Sequence, residues 1–433
     1  MKKFLDDIHG RYASEKKAIL TLCNNGAGYS VADFSHELET SIPKVTRIVN
    51  ELIHDGYLTE MGKQESATGR KPSLYGLNPT AGYFVGIDVC PNYFSLAVTD
   101  FPGRVIHFTD EIPYTLTNTE ESVQGLCNAM LEHLADAGIE QSKIRSFGVN
   151  LTGRVNRITG YSYSYFISEE KPIRQVMENC LGKPVSVEND SRAMAYGEYM
   201  SGIGPQEEGT FLFLNLGWGL GMGMILDGKL FSGKSGFSGE IGHFPLLNNN
   251  QYCRCGKIGC LETGASGSAL HRLMLEKLRE GRPSLLSEQY KAGKDLSLED
   301  ILDAIQKEDV AAIECIETIG GTLGRAVAGL INLFNPDMVV IGGRLSATEH
   351  YLMPPLRSAV NKYSLNLVNN DTVIKVSKLG KEAGAIGASL LSKARLLNSM
   401  AQKKCPPFGG QIHLSAENYS ATTLNLKVPL MAL

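Results

Sequence analysis

Two hydrophobic periods divide the chain. Over the first eighty residues, apolar positions recur every three or four residues in short bursts. Ala18, Ile19 and Leu22 share a face within residues 14–23, and Val31, Phe34 and Leu38 share one in a run that Ser30 can cap. A third run, opened by Ser41 with Pro43 in its first turn, puts Val45, Ile48, Val49, Leu52 and Ile53 on its buried side. Only Glu39 and Thr40 separate the second and third runs, which suits a helix-turn-helix, and Gly56 ends the third. Two extended pieces, 57–59 and 74–77, then flank a polar loop holding Gly69-Arg70-Lys71-Pro72. Residues 1–80 therefore have the layout of a winged helix-turn-helix.

Beyond Pro79 short β runs alternate with helices. Residues 83–89 and 94–99 pattern as paired strands with 105–108 as a third, 122–137 as an amphipathic helix, and 146–150 as a buried strand. Residues 211–216 and 223–226 are strands separated by a glycine-rich turn. A long helix follows over 311–334, and strand 338–341 ends in Gly342-Gly343. This alternation predicts an α/β body over 81–400, with ligands where glycine-rich turns leave the strands. After Met400, Cys405-Pro406-Pro407-Phe408-Gly409-Gly410 breaks the pattern, and residues 401–433 form an extension with one weak alternation at 423–428.

Composition sharpens this picture. The 433 residues are 43% hydrophobic and 20% charged, ordinary for a soluble chain of several domains and unlike disordered, collagenous or disulfide-stapled sequence. The most apolar stretch, 211–226, is glycine-rich and shorter than the ~20 residues needed to cross a bilayer. The amino terminus meets Asp6 and Asp7 before any apolar run develops, so no signal peptide is expected and the expected location is the cytoplasm. A net charge of −4 supplies no global basic field, and residues 1–80 balance ten basic against ten acidic side chains. Nucleic-acid binding must then rest on placement. Ser41, Lys44, Thr46 and Arg47 fall on the exposed side of the third helix, and Arg70 and Lys71 at the wing tip, where base edges and phosphates would be met. Three helices and a hairpin also build protein-interaction modules, so partner identity stays open on the head alone.

Three of the nine cysteines crowd into eight residues. Cys253, Cys255 and Cys260, with His243, make a Cys₃His set suited to tetrahedral zinc, and Gly256 and Gly259 let the loop fold tightly. The alternative is three reduced, buried thiols and an unrelated histidine.

These residues also carry a resemblance. Ser238-Gly239-Glu240-Ile241-Gly242-His243, followed by the run from Cys253 to Glu262, resembles the signature of the ROK family (repressor, open reading frame, kinase). Gly86-Ile87-Asp88 stands where the first phosphate loop begins, and Glu188-Asn189-Asp190 is similar to the segment with the kinase base. Gly217-Trp218-Gly219-Leu220-Gly221-Met222-Gly223 resembles the second phosphate loop, Ile341-Gly342-Gly343 the nucleotide-side turn, and Gly384-Ala385-Ile386-Gly387-Ala388 the last helix. The match covers about 81–395, and residues 77–83 resemble the hinge of the repressor branch, that of xylose and N-acetylglucosamine repressors. The resemblance implies two actin-like (ribonuclease H-like) lobes around a sugar cleft. Gly153, Arg154, Asn189, Asp190, Glu240, His243 and Glu262 would then contact sugar, with His243 using its other nitrogen on zinc.

Family kinases carry Asp-x-Gly-Gly-Thr-Lys in the first loop. Here the run is Asp88, Val89, Cys90, Pro91, Asn92 and Tyr93: both glycines and the lysine are gone, and Pro91 offers no N–H. Trp218 replaces a hydroxyl residue in the second loop, leaving Asp190 as a vestigial base. The family's Pro-Asn-Leu run is replaced by the aromatic segment 161–166. The sequence thus predicts a sugar-sensing repressor that binds operator DNA as a homodimer or homotetramer, the rival being a sugar kinase with an appended DNA-binding head.

Overall fold

The computed structural model describes residues 12–63, 72–115, 117–164, 166, 171–204 and 209–402. Arg70, Lys71, Tyr165 and the extension beyond residue 402 lie outside the described residues.

The head comprises α1 (Ala13–Leu22), α2 (Val31–Glu37), α3 (Ile42–His54) and the antiparallel hairpin β1 (Leu58–Lys63) and β2 (Ser73–Leu77). Ser30 closes a full capping box on α2, its hydroxyl accepting from Asp33 N (3.2 Å) while Asp33 accepts from Ser30 N (2.8 Å). Ser41 sits at the start of α3 but, against expectation, its side chain makes no capping bond; Pro43 in the first turn suits the helix start without it. Val45, Ile48, Val49 and Leu52 are buried as the period requires, whereas Ile53 is 36% exposed because it falls at the rim of the stripe. On α1 the buried residues are Ile19 and Leu20, with Ala18 and Leu22 only half-buried.

The body is two five-stranded sheets of identical order. The first has β3 (Tyr83–Val89), β4 (Tyr93–Thr99), β5 (Val105–Pro113), β6 (Ile144–Leu151) and β7 (Val185–Asn189), ordered β5-β4-β3-β6-β7. The second has β8 (Phe211–Leu216), β9 (Leu220–Leu226), β10 (Lys229–Leu230), β11 (Met338–Gly342) and β12 (Val373–Val376), ordered β10-β9-β8-β11-β12. In each, an antiparallel meander of three strands is extended by two parallel ones. Strand β9 begins at Leu220, three residues before the expected 223, so most of the glycine-rich run is ladder rather than turn.

Helices cover the outer faces. Val85, Ile87 and Val89 of the first sheet pack on α4 (Glu120–Asp136) and α5 (Ile173–Leu181). Leu212, Leu214 and Leu216 of the second face a layer with α7 (Gly267–Arg279), α8 (Ser287–Lys291), α9 (Leu298–Gln306), α10 (Val310–Phe334), α11 (Glu349–Tyr363) and α12 (Asn366–Asp371). Between the sheets run α6 (Asp190–Ser201), against Phe211 and Phe213, and α13 (Ala383–Gln402), against β3 and β6. A Cβ on Gly86 or Gly148 would strike the Ala385 or Ala388 carbonyl of α13, and α6 crosses α13 where Gly197 meets Gly387. The far end of α13 leaves the body: Leu396 and Leu397 join Ile19, Leu20, Phe34, Leu52, Phe84 and Phe101 in one core shared by head and first lobe. Among the described residues no helix is long and apolar enough to cross a membrane.

Gly148→Val should drive α13 off β6 and cost about 3 kcal/mol, the upper range of overpacking, read as a lower urea midpoint.

Candidate sugar cleft and metal cluster

The first half of the site forms where β7 runs into α6. Asn189 caps that helix, accepting from Arg192 N (3.1 Å), and its amide donates to the Gly153 carbonyl (2.9 Å) and Asp190 Oδ1 (2.7 Å). Asp190 also accepts from Ser191 N (2.7 Å) and, on Oδ2, from the Thr152 hydroxyl (3.1 Å). Burial raises the Asp190 pKa against the pull of these bonds. Gly153 has φ +89°, a conformation that favours glycine, and the next residue, Arg154, is exposed, its N–H held by Ser164 Oγ (3.2 Å). Thr152 was not singled out by sequence; its place one residue before Gly153 is the signal that was available.

Among the described residues, the aromatic segment splits between two environments. Phe166 is buried in the first lobe's core, while Tyr163 is exposed and meets Phe237 of the second lobe edge-on at 5.8 Å.

The second half lies on the loop after β10. His243 Nε2 is 3.9 Å from Glu240 Oε2, while Nδ1 is 3.6 Å from Cys253 Sγ on the opposite side of the ring. Cys255 and Cys260 sulfurs are also 3.6 Å apart, and the four ligand atoms of His243, Cys253, Cys255 and Cys260 lie within 4.8 Å of one another. A tetrahedral zinc with bonds near 2.0–2.3 Å requires ligand separations of about 3.5–3.8 Å. The cluster can hold a metal ion. Burial pushes the Cys253 thiol up to about 12, so an ion must displace its proton. Glu262 stands at the boundary, with Oε2 accepting from Leu220 N (3.1 Å) and Oε1 3.6 Å from Cys253 Sγ.

A buried ion network joins the halves. Glu188 accepts from Arg192 Nε (2.8 Å) and Asn189 N (3.0 Å), and its other oxygen pairs with Arg395 of α13. Arg192 Nη1 reaches the Ser238 carbonyl (3.2 Å), two residues before Glu240. Burial opposes the Glu188 charge, but Arg395 and Arg192 hold its pKa below the usual range. Arg192 was not singled out by sequence, though it lies only four residues from Glu188; Arg395, 207 residues away, left no local signal.

Tyr93, in the run that resembles the first phosphate loop, is held across the lobes. Arg344, just after Gly342-Gly343, pairs with the Tyr93 hydroxyl, with Glu111 Oε1 (2.9 Å) and with Glu299, and so bridges the lobes. Trp218 packs on His271 of α7 (5.5 Å) with Arg254 beside its ring (5.9 Å). Asp88 is pushed up to about 7 by burial and by the Asp190 and Asp110 carboxylates. Gly384, at the start of α13, abuts it.

In the head, Ser41, Thr46 and Arg47 are exposed on α3. Thr46 donates to the Ile42 carbonyl (2.9 Å), and Arg47 pairs with Glu51 (3.3 Å) and lies over the Tyr12 ring. Lys44 departs from the expected exposed side: it is half-buried and paired with Glu15 of α1 at 2.7 Å, because its position on α3 faces the α1 seam. That pairing holds Glu15 down at about 2.

Two lobes of like topology, with a metal-competent loop on one and a winged helix-turn-helix docked on the other, define an actin-like body with a DNA-binding type of head. Comparison with known proteins resolves the family: the ROK family model matches residues 84–395, and the chain belongs to the ROK family. It is 29% identical over 352 residues to the xylose repressor of Caldicellulosiruptor bescii, covering 79% of this chain and 86% of that one. A glucokinase from Halalkalibacterium halodurans is 30% identical but covers only 72% of this chain and 95% of its own. Among solved structures, a ROK family transcriptional regulator described as a homolog of the E. coli MLC protein superposes with a TM-score of 0.75 at 27% identity, over 90% of this chain and 98% of that chain.

Because Asp88 binds its proton more tightly folded than unfolded, it costs stability as pH rises from about 4 to about 7. Asp88→Asn should raise the urea midpoint over wild type at pH 8 and much less at pH 5.

Proposed function

We propose that this chain is a DNA-binding transcriptional repressor whose operator affinity is set by a sugar or sugar derivative held between the lobes. The observation that carries this reading is α13, which borders the Asn189–Asp190 site and places Leu396 and Leu397 in the head's core. A relative named a xylose repressor, and a solved ROK family transcriptional regulator that superposes on 90% of this chain, more than the two-lobed body alone, support it.

Sugar hydroxyls would be read by Gly153, Arg154, Asn189, Asp190, Glu240, His243 and Glu262, since a site that pairs each hydroxyl rejects analogues lacking one. Ser41, Thr46 and Arg47 present α3 to the major groove, Arg70 and Lys71 supply backbone contacts, and the half-buried Lys44 steadies α3 on α1. Two heads of a homo-oligomer in the cytoplasm would span the half-sites of an operator.

Phosphoryl transfer is not part of this reading. Transfer depends on positioning and neutralising phosphates, whereas Pro91 removes an N–H and Arg344 is committed to Tyr93, Glu111 and Glu299. Incubation with ATP, magnesium and a sugar panel should give no turnover; sugar phosphate accumulating at enzymatic rates would restore the kinase alternative.

Zinc in the Cys₃His cluster would be structural, all four positions being filled by the protein. One ring nitrogen of His243 would hold the ion while the other faces the cleft, so the metal orients a sugar contact. Protein purified without chelator should contain one zinc per chain by elemental analysis. Cys255→Ser should lose most of it, with at least a tenfold loss in sugar affinity, in the range for disturbed metal sites.

Coupling between two sites is typically about 1–3 kcal/mol, or about 5–150-fold, and is reciprocal. Operator DNA should therefore change sugar affinity by the same factor as sugar changes operator affinity. Asp190→Asn should weaken sugar binding at least tenfold and leave sugar-free operator binding unchanged. Calorimetry with D-xylose, D-glucose and N-acetyl-D-glucosamine, with and without an inverted repeat from the adjacent promoter, makes the test. Absence of binding by any sugar, or identical affinities in both titrations, refutes this reading.

A further inference from the structure

We infer that Arg395 is the positioning residue through which the sugar cleft sets the DNA-binding head, by sharing the buried Glu188 carboxylate with Arg192. This inference rests on the sugar-responsive reading above and assigns its route.

Glu188 is 2% exposed and stands one residue before Asn189, whose N–H it accepts at 3.0 Å. A carboxylate so buried cannot be left short of partners, and it divides its oxygens between two guanidiniums. On one side Arg192 donates from Nε (2.8 Å) and extends Nη1 to the Ser238 carbonyl (3.2 Å) on the loop that carries Glu240 and His243 of the other lobe. On the other side Arg395 pairs with Glu188 through Nη2 and donates from Nη1 to the Val187 carbonyl (3.0 Å). The next two residues of α13, Leu396 and Leu397, lie in the core shared with Ile19, Leu20 and Leu52 of the head.

The network is not saturated. Arg192 is 1% exposed overall, yet its Nη2 is buried with no hydrogen-bond partner among the described residues. An orphan donor on a buried cation costs free energy, and a small movement of the Ser238 loop or of Glu188 can satisfy it. Sugar bound between Asn189–Asp190 and Glu240 pulls on both of those segments. Arg192 then takes a larger share of Glu188, Arg395 a smaller one, and the Leu396–Leu397 end of α13, beyond its tight contacts at Gly86 and Gly148, is released to tilt. That end cannot move without repacking the head, because cores of native density transmit strain.

The test uses the full-length protein, Arg395→Lys and Arg395→Met, and the sugar of the panel that binds wild type most tightly. Lysine keeps the charge but loses the two-pronged contact to Glu188 and Val187; methionine keeps the stem alone. Sugar affinity is measured with and without operator DNA. Wild type should show a ratio of at least fivefold. In both variants the ratio should fall to within twofold of unity, while sugar affinity without DNA and operator affinity without sugar stay within about threefold of wild type. A wild-type ratio of unity sinks the sugar-responsive reading itself. A fivefold ratio retained in Arg395→Lys and Arg395→Met overturns the assignment of Arg395 alone. Loss of sugar binding itself in Arg395→Lys also overturns it, since Arg395 would then merely hold the site together.

Discussion

Everything in this molecule is arranged around the approach of one helix to a sheet. Helix α13 lies so near β3 and β6 that Gly86 and Gly148 leave no space for a Cβ, and its own Gly387 meets Gly197 of α6. Contacts of backbone on backbone tolerate little sliding, because no flexible side chain intervenes to absorb it. The same helix therefore fixes the first lobe, sets the crossing with α6 that carries Asp190, and delivers Leu396 and Leu397 to the head. The head is not a tethered module: its hydrophobic core is completed by residues of the body.

Charge is distributed unequally between the two sides of the cleft. Asn189 and Asp190 are hydrogen-bonded within the first lobe, and Glu240 and His243 lie 3.9 Å apart on the loop after β10. Arg344 spends its guanidinium on three partners from two lobes. A cation so paired has little left for another anion, and its pairs tie the two lobes together.

Some features were legible because they are local. Ser30 and Asp33 lie three residues apart, and their capping box needs nothing beyond α2. The four metal-competent residues fall within eighteen positions, and the glycines between them allow the loop to close. Other features misled because a helical period marks a face but not its edges. Ile53 fits the stripe of α3 and is at its rim, and Lys44 fits the polar face yet is held by Glu15 of another helix. The run 217–223 reads as a turn from its glycines, but pairing with β8 makes a ladder of Leu220 onward, since Gly223 lies where a side chain would strike Ala195 and the backbone of α6.

The sequence by itself determined the helical head, the alternating α/β body and the Cys₃His set, because each is written in neighbouring residues. The tertiary structure alone decided which distant residues share a charge or a core. Arg395 reaches Glu188 across 207 positions, Arg344 reaches Tyr93 across 251, and Leu397 enters a core begun by Ile19. No local pattern marks such partners, because a buried charge or methyl group is stabilised by whatever the fold brings against it, and that is settled only when both sheets and α13 have packed.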